Sequence, residues 1–243
     1  MRKLIIRDWN KMPYEEAWNR QETLLQQMVE KKLQNRDKNN TAPEEVPINY
    51  LIFTEHPPVI TLGKSGKKEH LLVRESFLKE QGIEFYQTNR GGDITYHGPG
   101  QIVGYPILDL EQFFTDIHRY LRTLEEVIIR TLAVYGIKAG RSKNETGVWI
   151  DPEHPQKARK ICAMGVRCSR WVTMHGWALN VNTNLSHFDY IIPCGIRNKA
   201  VTSMEKELGK KINMEEVKSF LAENFIKLFD ARIIEKEASP FQG

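Results

Sequence analysis

Between Arg90 and Gln101 the chain reads Arg-Gly-Gly-Asp-Ile-Thr-Tyr-His-Gly-Pro-Gly-Gln, with four glycines inside ten residues. Glycine admits positive φ and lacks the Cβ that would hold a neighbouring backbone or ligand away. A tight hairpin explains a Gly-Gly pair, but it does not require the Arg90, Thr95, His97 and Gln101 interleaved here. The stretch therefore reads as backbone forced close to a bound group. N–H groups free of side-chain shielding would suit an oxyanion or a carbonyl.

Around that motif, strand and helix signals alternate. Residues 4–6 suggest a short first strand. Pro13 opens a helix with Ala17, Trp18, Leu24, Leu25 and Met28 on one face. The polar run over 34–46 reads as an exposed loop. Strands are expected over 50–53, 59–62, 102–110 and 146–150, and an amphipathic helix runs from Ile117 to Leu132, closed by Gly136. A hairpin over 160–181 turns at Ser169-Arg170, and Asn213 caps a last helix that buries Val217, Phe220, Leu221, Phe225 and Leu228. Gly63 to Lys68 resembles a phosphate-binding loop only superficially, because the Gly-x-x-x-x-Gly-Lys-Ser/Thr spacing is absent.

With 243 residues, 40% hydrophobic and 27% charged, the chain is expected to form one α/β domain (α+β type) over 1–243, a mixed central β-sheet flanked by helices. A net charge of +4 suits a partner with an acidic face but lacks the basic stripe of a nucleic-acid binder. No apolar run reaches the roughly 20 residues of a membrane span, and the N-terminal apolar segment is too short for a secretory signal. Three cysteines without CxxC spacing read as reduced thiols of a cytoplasmic protein, expected to be a monomer.

Cys194 lies between Pro193 and Gly195, where the chain must turn after an apolar run; Cys162 and Cys168 read as small buried hydrophobes. A thiol near its usual pKa of about 8.5 needs a neighbouring cation or base to act as a nucleophile. Lys160, which opens an apolar strand, is the candidate, against the plainer reading of a strand-end lysine reaching solvent. Arg159 would face the opposite side. His97 and His175, each before a glycine, could serve as acid, base or structural group. A zinc site from Cys162, Cys168 and His175 matches no usual spacing, so no metal is expected.

Taken together, the segments 90–101, Lys160-Ile-Cys-Ala-Met-Gly165, His175-Gly-Trp-Ala-Leu-Asn-Val-Asn182 and Pro193-Cys-Gly195 resemble the octanoyltransferase family, within the superfamily of biotin and lipoate protein ligases. The resemblance covers about 51–208. It implies octanoyl transfer from octanoyl-acyl carrier protein, through a thioester on Cys194, to a lysine on lipoyl domains of 2-oxoacid dehydrogenase complexes and on the glycine cleavage H protein. Lys160 would lower the Cys194 pKa and shuttle protons, and no cofactor is implied. The acyl pocket would be lined by Arg90, Gly91, Gly92, Asp93, Ile94, Thr95, Tyr96, His97, Ala163, Met164, Gly165, Gly176, Trp177 and Ala178, with His175 and Gln101 in support. Met164, Trp177 and Leu179 are candidates for the slot holding the tail. Two rivals differ in substrate: an ATP-dependent lipoate or biotin ligase on the same fold needs no nucleophilic cysteine, and an octanoyl amidotransferase takes its acyl group from another lipoyl domain. A non-enzymatic binding module would make the Cys–Lys arrangement an accident.

Overall fold

The computed structural model describes residues 2–36, 46–143, 145–192 and 200–236. In chain order the elements are β1 (Lys3–Lys11), α1 (Tyr14–Arg36), β2 (Asn49–Glu55), β3 (Val59–Leu62), α2 (Glu75–Glu80), β4 (Glu84–Gln87), β5 (Ile94–His97), β6 (Gln101–Ile107) and α3 (Ile117–Val134). They continue with β7 (Ala139–Arg141), β8 (Val148–Ile150), β9 (Arg159–Ser169), β10 (Val172–Asn180), β11 (Ala200–Val201), α4 (Met204–Leu208), α5 (Met214–Phe229) and β12 (Arg232–Lys236). No described helix is long and apolar enough to cross a membrane.

The main sheet runs β12-β1-β2-β6-β10-β9-β8-β7, with β11 paired to β9. It is mixed: β1 lies parallel to β2 and β12, whereas the strands from β2 through β7 pair antiparallel. A parallel β1–β2 pair requires a crossover, and α1 supplies it. A smaller sheet, β4-β3-β5, packs beside the first. Alternation along the central strands divides the core. Ile102, Trp177 and Leu179 join α3 and α5 on one face, while Val103, Met174 and Ala178 join α1 on the other. Trp177 lies on Gly104, its cross-strand partner, where a Cβ would stand 2.1 Å from the indole.

The expected mixed sheet flanked by helices is present, and several details depart from expectation. Three of the five residues expected on the buried face of the last helix are core. Val217, Leu221 and Phe225 are buried with Phe229, whereas Phe220 and Leu228 sit at the rim. The hairpin turns at Arg170–Trp171, both in the left-handed region (φ 49° and 65°), as a two-residue loop matched to the strand twist demands. α1 buries two polar residues on its inner stripe, Gln21 and Lys32.

Lys32 anchors that hairpin. Its ammonium pairs with Asp109, donates to the Arg170 carbonyl at 2.9 Å and lies 3.2 Å from Glu111. Both Lys32 and Asp109 are almost fully enclosed. Stranding one member of a buried pair costs about 3–5 kcal/mol, whereas an exposed helix pair such as Arg20–Glu16 contributes about 0.5 kcal/mol or less. Urea denaturation of Asp109→Ala is therefore expected to show a loss of about 3–5 kcal/mol. Arg20→Ala should stay near wild type, and equal effects would contradict this account.

Candidate active site

The glycine-rich stretch works by backbone contact. Lys64 N–H donates to the Arg90 carbonyl (2.9 Å), Ser65 N–H to Gly92 (3.2 Å) and Gly63 N–H to Asp93 (3.2 Å). Gly91 N–H donates across to Val166 of β9 at 2.9 Å, and a Cβ at Gly165 would stand 2.4 Å from the Gly91 oxygen. Three backbones thus meet where side chains would not fit. This corrects one expectation: the Gly91 amide is spent on β9 and the Gly100 amide on the Glu55 carboxylate (2.8 Å), so neither is free for an oxyanion. The 63–66 loop likewise spends its amides, three on the 90–93 carbonyls and that of Gly66 on Gly63, and makes no phosphate cradle.

Behind this contact lies a cavity of about 630 Å³ between the two sheets. The expected residues 90–95, 97, 101, 160, 163–165 and 175–178 all line it. Tyr96 does not, because alternation on β5 turns it into the core of the small sheet, where its hydroxyl meets His187 Nδ1 at 2.8 Å. Leu179 also departs, lying within the α3–α5 core. Tyr14, Val103 and Tyr105 contribute wall that the sequence reading did not assign. So do Ile117 and Leu121 of α3, which read as ordinary core positions because helical periodicity does not separate a packed face from a cavity wall.

A directed chain of hydrogen bonds holds the wall. Arg90, 7% exposed, donates from Nη2 to the Thr61 carbonyl (2.7 Å) and hydroxyl (2.8 Å), and from Nη1 to the Gly91 carbonyl (3.1 Å). Gln101 Nε2 donates to Asn180 Oδ1 (2.8 Å), and Asn180 Nδ2 donates to the Thr202 carbonyl (3.0 Å). Gln101 Oε1 is then left to accept from His97 Nδ1–H (2.8 Å), so His97 Nε2 is the acceptor, with the Thr61 hydroxyl 3.4 Å away. The same reasoning fixes His56, which donates from Nδ1 to the Met12 carbonyl and accepts the Tyr105 hydroxyl at Nε2, each at 2.7 Å. His175, at φ 58°, donates from Nε2 to Asn89 Oδ1 (2.7 Å), while its backbone N–H reaches Gln21 (2.9 Å).

Burial pushes all three imidazoles down, His56 to about 4 and His97 and His175 to about 3, with the Arg90 charge adding to the effect on His97 and His175. They are neutral near pH 7. Burial also pushes the Cys162 thiol far up and raises Cys168, so neither is an activated thiol. Cys194 lies outside the described residues. No three His, Cys, Asp or Glu side chains stand together as a metal site among the described residues.

Lys160 is buried in the cavity wall, 7% exposed, with Nζ 4.6 Å from the centroid of the Trp149 ring. Alternation sends Arg159 to the opposite side, onto Glu207 and Asp151 at 2.6 Å. Beside Lys160, Gly147 (φ 117°) carries the 145–147 turn past the strand, leaving 3.6 Å between its missing Cβ and Lys160 Cε. Glu125, fully enclosed on α3, fixes that turn by accepting the Gly147 N–H at 2.9 Å.

The match to the lipoyl protein ligase A/B catalytic domain spans residues 13–226. A protein named octanoyltransferase from Flavobacterium johnsoniae is 57% identical over 96% of this chain and 99% of its own length. Another of that name, from Christiangramia forsetii, is 58% identical over 96% of each chain. Among solved structures, the bipartite lipoate protein ligase of Thermoplasma acidophilum superposes with a TM-score of 0.68, covering 98% of this chain and 87% of its own, at 17% identity; that likeness concerns the fold. Two enclosed sheets, a buried lysine in the wall between them and this degree of identity agree: the chain belongs to the octanoyltransferase family, within the group defined by the lipoyl protein ligase A/B catalytic domain.

Proposed function

We propose that this chain, as a single catalytic domain over 1–243, transfers an octanoyl group from octanoyl-acyl carrier protein to the lysine amine of lipoyl domains, those of 2-oxoacid dehydrogenase complexes and the glycine cleavage H protein. It works as a cytoplasmic monomer through a thioester on Cys194. The observation that carries the chemistry is the buried Lys160, held at the wall of a largely apolar cavity. A cation there stabilises a nearby thiolate far more than it would in water.

Proton movements then balance. The Cys194 thiol gives its proton to Lys160, and the thiolate adds to the donor's thioester carbonyl. Collapse of that intermediate breaks the bond to the carrier's thiol, which leaves as the thiolate and is protonated from Lys160. The neutral acceptor amine next adds to the Cys194 thioester and passes its proton to Lys160 as the Cys194 thiolate leaves, and return of that proton from Lys160 to the thiolate restores the starting pair. The neutral, hydrogen-bonded imidazoles of His97 and His175 hold the wall, and their depressed basicity makes them poor proton acceptors at neutral pH.

The chain on either side of 193–199 supports placing Cys194 at this site. Phe188 before it and Val201 after it both line the cavity, and Val201 pairs with Lys160 in β11 and β9. Thioester exchange is close to isoenergetic, so ATP is not needed, unlike in a ligase.

Incubation with octanoyl-acyl carrier protein and no ATP is expected to add one octanoyl mass, released by hydroxylamine. Cys194→Ser should lower turnover by at least about a thousandfold, and wild-type transfer by that variant would refute the assignment. In Lys160→Ala the thiol should titrate near 8.5 and alkylate more slowly at pH 7; an unchanged alkylation profile removes Lys160 from the mechanism. Stability should also depend on pH. His56, His97 and His175 lie below the unfolded value of about 6.5, so the unfolded chain binds their protons first. Their stability is fully present above pH 6.5 and is lost as pH falls through the folded values of about 3 to 4. Unfolding at pH 5 should take up about three protons and be easier than at pH 7 by about 2 kcal/mol per histidine. An unfolding free energy flat between pH 7 and 5 would contradict the neutral-imidazole assignment.

A further inference from the structure

We propose that the segment from Lys64 to Arg74 is the docking face for the acyl donor, seating an acidic helical surface of the carrier protein on Lys64, Lys67, Lys68 and Arg74. The proposal rests on the octanoyltransferase reading above and names the surface that serves its first half-reaction.

All four cations are exposed, and among the described residues none of them has an ion-pair partner. The acidic groups of the same stretch are Glu69 and, just beyond it, Glu75, so the face remains net positive. The ion pair within the segment, His70 Nδ1 to Asp93 at 2.6 Å, leaves these cations out. Next to them lies a groove of about 380 Å³ lined by the apolar Leu62, Leu71, Val73 and Phe85 together with the charged Lys68, Arg74 and Glu75. An apolar groove with a net basic edge, extended by Lys64 and Lys67, fits an amphipathic helix that is acidic at its edges.

Position ties this face to the reaction. The loop is fixed to the site by the Lys64–Arg90 and Ser65–Gly92 backbone bonds, and Ser65 and His70 line the large cavity. Ile94 lines both the groove and the cavity. At the other end, Ile192 N–H donates to the His70 carbonyl at 2.8 Å, and Leu71 pairs with Ile191. The chain leading to Cys194 therefore departs from the edge of this face, where a thioester arm from a seated carrier would arrive.

Charge favours an anionic partner at this face. The donor's prosthetic arm carries a phosphodiester, which four unpaired cations attract. Electrostatic steering of this kind raises the encounter rate and is screened by salt.

The test compares octanoyl-carrier protein with a small thioester, octanoyl-N-acetylcysteamine, as donors to Lys64→Glu, Lys67→Glu, Lys68→Glu and the triple variant. The triple variant is expected to raise KM for the carrier donor by about tenfold while leaving transfer from the small thioester at wild-type rate. In the wild type, added salt should raise KM for the carrier donor alone. An unchanged carrier KM, an equal loss with both donors, or a rise confined to the lipoyl-domain acceptor would overturn the proposal. Failure of the wild type to take octanoyl from either donor would instead remove the octanoyltransferase reading, and this proposal with it.

Discussion

A guanidinium with almost no access to solvent sets the geometry between the two sheets. The Arg90 donors go to the oxygens of Thr61 and Gly91. Burying a charge is expensive unless its donors are satisfied, so these contacts fix the β3 backbone against the glycine turn. From Thr61 the order passes through His97 and Gln101 to Asn180 and the Thr202 carbonyl. Strands of the small sheet are thereby joined to β6 and β10 of the large one. Each member has one rotamer that satisfies its neighbours, and the cavity is the space left between the sheets once they are held there.

Electrostatics in that space follow from the same enclosure. Burial that would charge an imidazole at a large cost leaves His56, His97 and His175 neutral. Lys160 lines the same cavity as His97 and His175 from its place beside Trp149, where a cation gains about 1–2 kcal/mol from the ring face. Its surroundings are held from outside the cavity by Glu125. That carboxylate lies 2.7 Å from Arg122 and 3.2 Å from Arg141 and also accepts the Gly147 N–H. A fully buried acid deep in α3 therefore determines where the turn beside Lys160 can run.

Much of this was legible in the sequence, and the failures have physical causes. Asn213 caps α5 through Glu215 N–H at 2.9 Å, and Gly136 ends α3 at φ 73°, as their residue types require. Local chemistry of that kind is carried by a few adjacent residues. The glycine stretch was recognisable as a close approach, but what it approaches, Val166 and the 63–66 loop, is set by strand order and cannot be read locally. Gln21, Lys32 and Glu125 were missed because a polar side chain on an apolar helical stripe looks like a solvent-facing edge until a distant partner is known. Tyr96 was assigned with its neighbours as one motif, although the two-residue period of β5 divides that motif between the cavity and the core.

β9 explains why these separate devices make one site. At its start, Lys160 stands between Trp149 of β8 and Val201 of β11. Its middle, at Gly165 and Val166, presses on the glycine turn, and its end reaches the hairpin that Lys32 holds to α1. Lys160 and Val166 are about 20 Å apart at roughly 3.3 Å per residue, and both line the cavity. One strand thus carries the buried lysine at one end and the contact with the glycine turn further along, and the β10 ladder from Cys162 to Ser169 fixes the second part while β8 and β11 fix the first.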